Sequence, residues 1–134
     1  LPTGVRKIPL DEAFATSRIV SLHCPLTAQN RAFVNASLLE RAAPGLILVN
    51  TARGALIDDI AVAEALQSGR LGAYACDVLS TEPPAADHPI LSAPNTYVTP
   101  HIAWATAAAR GRIVRIMAEN LKAFLAGAPQ NVVS

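Results

Sequence analysis

Leu46–Val49 (LILV) has no polar alternation, the pattern of a strand buried on both faces of a parallel sheet. It runs into a polar elbow, Asn50-Thr51-Ala52-Arg53-Gly54, where Gly54 lets the backbone turn sharply. Arg18–Cys24 (RIVSLHC), stopped by Pro25, reads as a further buried strand, and Leu71–Val78 (LGAYACDV) as another short apolar strand ending at Asp77. Between these runs the spacing becomes helical. Leu10–Ser17 predicts a short helix with Asp11 and Glu12 in its first turn. Asn35 can cap a helix over Ala36–Ala43, which Pro44-Gly45 ends. Asp58-Asp59 opens another, to about Gln67. Its predicted apolar stripe is Ile60, Ala63, Ala65 and Leu66, with Glu64, Gln67 and Arg70 turned outward.

The stretch Leu79–Asn95 reads as irregular, with Pro83, Pro84, Pro89 and Pro94 inside it. Loops of that length tend to be functional. Thr96–Thr99 is a brief strand before Pro100-His101. Thr106–Ala126 is a long Ala-rich helix that Gly127 stops and Pro129 keeps from resuming. Ile113, Ile116, Met117, Leu121 and Phe124 form its apolar face, which either packs on the sheet or serves dimerisation. Strands alternating with helices specify an α/β fold with right-handed parallel crossovers.

Composition narrows the function more than the fold. The chain is 51% hydrophobic and 16% charged, which favours internal strands covered on both faces. Its 134 residues allow one ordinary domain. Net charge is +1 with no Lys/Arg run, so no nucleic acid or anionic membrane partner is indicated. No apolar stretch approaches the roughly 18 to 20 residues of a membrane span. No apolar core follows Arg6-Lys7, so the N-terminus does not read as a secretory signal, and the missing initiator Met suggests processing or truncation. Cys24 and Cys76 read as reduced thiols, which points to the cytoplasm. His23, His88 and His101 show no ligand spacing with each other or the cysteines, so no metal site is expected.

The chemistry collects where strands end. The runs finish at His23-Cys24-Pro25, at Thr51-Ala52-Arg53, at Asp77 and at His101. In a parallel sheet those ends lie side by side, and ligands bind outside the carboxyl ends of the strands. Glu82 follows Asp77 closely enough to reach the same crevice. An arginine clamps a carboxylate bidentately, and a histidine backed by a carboxylate can donate a proton. These are the parts needed to reduce a 2-oxo acid, with the hydride coming from a cofactor. Each residue also has a plainer reading: His101 as a helix cap, Glu82-Pro83-Pro84 as loop surface, Asp77 as a turn cap, His23 as a packed histidine.

The motifs VSLHCPLT (Val20–Thr27), VNTARGALID (Val49–Asp58), ACDV with EPP (Ala75–Val78, Glu82–Pro84) and TPHIAW (Thr99–Trp104) resemble the D-isomer-specific 2-hydroxyacid dehydrogenases. They occur in family order and cover nearly the whole chain from Leu10. The HIAWA form and the ending APQNVV are similar to the glycerate dehydrogenase/hydroxypyruvate reductase branch. The resemblance implies that Arg53 binds substrate carboxylate and carbonyl, that His101 is the general acid/base, and that Glu82 is its partner. It implies that Asp77 meets the nicotinamide carboxamide. Cys24, Thr51 and Ala52 would line an NAD or NADP cofactor, with His101, Ala103 and Trp104 closing the nicotinamide end. A homodimer is expected of the complete enzyme.

The family's G-x-G-x-x-G fingerprint, whose glycines let a helix N-terminus meet the pyrophosphate, is absent. The expectation is therefore an incomplete Rossmann-like doubly wound sheet, lacking its first βαβ unit. The chain would be the C-terminal part of a dinucleotide-binding domain, without a substrate domain and inactive alone. If it opens at the third strand of the order 3-2-1-4-5-6, the strand ending at Cys24 lacks a neighbour. Buried backbone groups would then go unpaired, at about 1 to 3 kcal/mol each. The competing reading is a catalytically silent, NAD-sensing corepressor of the same fold.

Overall fold

The computed structural model describes residues 3–133. Their elements run α1 (Leu10–Thr16), β1 (Ile19–Leu22), α2 (Ala36–Glu40), β2 (Leu46–Asn50), α3 (Asp59–Gln67), β3 (Leu71–Cys76), α4 (Pro89–Ser92), β4 (Thr96–Val98) and α5 (Ala107–Leu125). The chain divides into two compact units, one ending at Pro100 and the other beginning at His101.

The first unit is a parallel sheet in unbroken order β1-β2-β3-β4. β1 pairs directly with β2, from Ile19 opposite Ile47 to Leu22 opposite Asn50. The expected gap beside the first strand is therefore not there. Strands that follow one another in space as in sequence form one arm of a doubly wound sheet, so no strand is missing between them. Right-handed crossovers in that order place every connecting helix on one face.

The core follows from this arrangement. Phe14 of α1, Leu38 and Leu39 of α2, and Val62, Ala65 and Leu66 of α3 are buried with Leu22, Leu48 and Tyr74 of the strands. The other sheet face is open, contrary to the burial on both faces expected of these strands. On it Ile19, Ile47 and Tyr97 are 61%, 38% and 67% exposed, and Val49 is half-buried. β2 thus alternates between buried and accessible positions, although its sequence is apolar throughout.

Caps set the helix starts as expected. The Asn35 side chain accepts from the Leu38 amide at 3.0 Å, and Asp58 Oδ1 accepts from the Ile60 and Ala61 amides at 3.1 and 3.2 Å. The stripe of α3 is rotated from the predicted one: Ala61, Val62, Ala63, Ala65 and Leu66 are buried, whereas Ile60 is 62% exposed. The Pro-rich stretch also contains α4, opened by Pro89 behind the His88 cap. Pro at the first helical position is preorganised for a helix and has no orphan N–H.

The second unit is dominated by α5, capped by Thr106 Oγ1 on the Ala109 amide at 3.2 Å. None of its residues is buried, and Ile113, Ile116, Met117, Leu121 and Phe124 are all exposed. The expected face exists as a stripe but is uncovered. No helix among the described residues is long and apolar enough to cross a membrane.

Candidate active site

The pairing of Leu22, Asn50, Cys76 and Val98 across the four strands aligns their carboxyl ends along one edge. Cys24 follows β1, Thr51 to Arg53 follow β2, and Asp77 follows β3. The first unit therefore brings five of the sequence-predicted residues to one edge.

The elbow after β2 is built by a residue that was not singled out as part of the site. Asn50 is fully buried at the end of the strand. Its Nδ2 donates to the Arg53 carbonyl oxygen at 3.0 Å, and its Oδ1 accepts from the Ala52 amide at 3.1 Å. Nδ2 also lies 3.5 Å from the Tyr74 hydroxyl. A buried polar group in an apolar run was the signal available in the sequence, because such a group must find partners. With its N–H engaged by Asn50, Ala52 can meet a ligand through its methyl group but not through that donor.

Arg53 is exposed, and one guanidinium N–H donates to the Ala52 carbonyl at 2.6 Å. The planar fork has five donors, so capacity remains for a carboxylate. The chain beyond it is held from the side. Ala32 and Val34 amides donate to the Ala55 and Leu56 carbonyls at 2.9 and 3.2 Å, and the Asp58 amide returns to the Val34 carbonyl at 2.9 Å. Gly54 serves close packing rather than a special turn. A Cβ there would fall 1.9 Å from the Leu79 carbonyl carbon and 2.4 Å from the Ser80 nitrogen. The Arg53 elbow and the start of the Glu82 loop are thus in backbone contact.

Asp77 is 4% exposed. Its amide donates to the Asn50 carbonyl at 3.0 Å, and its Oδ1 accepts from Thr99 Oγ1 at 2.5 Å. Thr99 thereby orients the carboxylate, a second contributor that sequence reading did not single out. Glu82 Oε1 accepts from the Leu79 amide at 2.9 Å, folding the carboxylate back over its own loop. His23 is exposed and shares a 2.9 Å hydrogen bond with Ser21 Oγ. Cys24 is half-buried, with Asn30 Nδ2 3.9 Å from its sulfur. Both cysteines are free thiols. Burial pushes the Cys76 thiol up to about 11, helped by the nearby Asp59 and Asp77 carboxylates, and it pushes the Tyr74 phenol up as well.

His101, Ala103 and Trp104 belong to the second unit. His101 has a left-handed backbone (φ 55°), and Trp104 Nε1 donates to its carbonyl oxygen at 2.9 Å. The Ala105 amide donates to the Ile102 carbonyl at 2.9 Å, closing a tight turn. A left-handed non-glycine residue costs backbone energy, and such residues gather at functional sites.

Among the described residues no group of three His, Cys, Asp or Glu could hold a metal ion. A groove between α2 and α3 is lined by Leu39, Ala61, Ala65 and Arg70 among others. It is separate from the edge described above.

This edge and its motifs have close counterparts. Residues 2–103 match the model of the D-isomer specific 2-hydroxyacid dehydrogenase NAD binding domain, and the chain belongs to that family. The hydroxypyruvate reductase of Blautia hydrogenotrophica is 41% identical over 129 residues, covering 96% of this chain and 40% of that protein. The glycerate dehydrogenase of Methylorubrum extorquens is 38% identical over 128 residues, covering 94% and 41%. An acyclic imino acid reductase solved with NADPH and D-Arg superposes with a TM-score of 0.89 at 32% identity, covering 98% and 42%. The chain thus spans about 40% of the length of these relatives. The fold is that of Rossmann dehydrogenases, as the sequence indicated.

Proposed function

We propose that this chain is the carboxyl-terminal arm of the dinucleotide-binding domain of an NAD(P)-dependent D-2-hydroxyacid dehydrogenase. Its substrate would be a small 2-oxo or 2-hydroxy acid of the hydroxypyruvate/glycerate or glyoxylate type. The observation that carries this reading is Arg53, held by Asn50 just beyond β2, one strand away from the Asp77 carboxylate that Thr99 fixes. That pairing supplies a carboxylate clamp beside an acceptor for a carboxamide N–H.

The residues present suit the nicotinamide end of a dinucleotide. Thr51 and Ala52 are small, Cys24 is half-buried, and Asp77 offers a carboxylate at the same edge. A pyrophosphate cradle of the G-x-G-x-x-G type does not occur in these 134 residues. When bound, the nicotinamide supplies the hydride. Arg53 binds the substrate carboxylate and polarises the adjacent carbonyl, which fixes the C2 face presented. His101 gives its proton to the carbonyl oxygen during reduction and takes it back during oxidation, with Glu82 as its carboxylate partner. Cys24, Thr51, Ala52, Ala103 and Trp104 line the cofactor.

The test is turnover by the full-length protein, followed by the absorbance of reduced nucleotide with hydroxypyruvate, glyoxylate and pyruvate as substrates. Consumption of NADH or NADPH with one of these acids upholds the reading. Tight binding of the nucleotide without turnover of any 2-oxo acid contradicts it and favours a silent binding module.

A further inference from the structure

A second polar cluster lies in the first unit, away from the groups given direct roles above. Asp59, the first residue of α3, is 14% exposed, and His88 is 8% exposed. Ser80 Oγ donates to Asp59 Oδ2, and His88 Nε2 lies 3.4 Å from the same oxygen. His88 Nδ1 accepts from the Ile90 amide at 3.4 Å, which leaves the proton on Nε2 and aims it at Asp59. The arrangement is not a nucleophile triad. The carboxylate sits between serine and histidine, and the remaining histidine nitrogen is engaged by the backbone.

What the cluster joins matters more than its members. Ser80 and His88 bracket the loop that carries Glu82, and Asp59 follows the Arg53 elbow by six positions. The Gly54 backbone already abuts Leu79 and Ser80. Glu82 in turn caps the Leu79 amide. The loop is therefore fastened at both ends to the segment that carries Arg53. The fastening is costly, because Asp59 Oδ1 is buried without a hydrogen-bond partner. A cluster shaped for stability alone would replace such a carboxylate with a fully satisfied or apolar group.

We infer that Asp59, with Ser80 and His88, is a positioning residue: it holds the Glu82 loop in register with the Arg53 elbow. The inference rests on the roles of Arg53 and Glu82 proposed above. Asp59 touches neither substrate nor cofactor. It acts through the loop, and a carboxylate displaced by about an ångström can cost a catalytic step up to a hundredfold.

The experiment uses the full-length protein and the variants Asp59→Asn, Ser80→Ala, Glu82→Gln and the double variant Asp59→Asn/Glu82→Gln. Asp59→Asn should lower kcat for 2-oxo acid reduction about tenfold or more, with the Kd for NADH within about twofold. On the Glu82→Gln background the same change should cost less than about twofold, because the group being positioned is gone. Fully additive losses would overturn the inference. Should Glu82→Gln leave kcat unchanged, the proposed role of Glu82 fails, and amide exchange then decides the inference independently. Faster exchange at Leu79 in Asp59→Asn and Ser80→Ala upholds the tie, and unchanged exchange overturns it. Ser80→Ala removes one hydrogen bond without emptying the site, so it covers the case in which Asp59→Asn fails to fold.

Discussion

Asn50 closes the elbow that carries Arg53: its buried Nδ2 donates to the Arg53 carbonyl oxygen at 3.0 Å, while its Oδ1 accepts from the Ala52 amide at 3.1 Å. The last residue of β2 therefore presets the backbone from which the guanidinium projects. Asn50→Leu should cost about 1 to 3 kcal/mol, because the Ala52 and Arg53 backbone groups lose their partner. A urea melt should show that loss. In the full-length protein the same variant should raise KM for the 2-oxo acid more than the Kd for nucleotide.

Gly54 is required for space. A Cβ at this position meets the Leu79–Ser80 backbone well inside contact distance, and backbone cannot swing aside as a flexible side chain can. Gly54→Ala should destabilise by about 1 to 3 kcal/mol, the usual cost of overpacking. Gly69→Ala is an informative contrast. A Cβ at Gly69 meets nothing within 4 Å, so its cost arises from the left-handed φ of 73° alone.

α3 supplies a paired test of which face is buried. Val62→Ala removes two methyl-sized groups from a fully buried position and should cost about 2 kcal/mol. Ile60→Ser, at an accessible position, should stay within about 0.5 kcal/mol. Chemical denaturation of the two variants side by side decides the orientation. Equal losses would mean that Ile60 is covered.

Burial governs the cysteines. With its thiol pushed up to about 11, Cys76 should alkylate far more slowly in the native protein than half-buried Cys24. The same shift bears on stability. The native state holds the Cys76 proton where the unfolded chain has lost it, so stability is complete below about pH 8.5. It should fall as pH rises toward 11, with a slope of at most about 1.4 kcal/mol per pH unit from this group. Denaturant midpoints measured across that range, with Cys76→Ala as control, check the sign.

The order and type of the major elements were legible in the sequence because caps and breakers sit where the physics needs them: Asn35, Asp58, Thr106 and Gly127 bound helices much as expected. The placing of Cys24, Thr51, Ala52, Arg53 and Asp77 was legible too, since the parallel register carries the ends of β1, β2 and β3 to one edge. Burial was less so. An apolar strand looks alike whether one face or both are covered, so Ile19 and Ile47 read as interior yet are exposed. Ile60 fits a helical stripe in a list of apolar positions, but packing on the sheet selected Val62 instead. The neighbour of β1 depended on tertiary order that no local pattern encodes. The Asp59–Ser80–His88 cluster joins residues up to 29 positions apart with no shared motif.

The central claim is that Arg53 is the substrate clamp, and steady-state kinetics of Arg53→Ala and Arg53→Lys in the full-length protein test it most directly. A clamp built on a bidentate fork predicts a fall in kcat/KM for a 2-oxo acid of about a hundredfold or more in Arg53→Ala. Arg53→Lys should recover only part of it, because a point charge cannot reproduce the fork. Nucleotide binding should stay close to that of the parent. If KM and kcat hardly change in Arg53→Ala, Arg53 does not hold the substrate and the account fails at its centre.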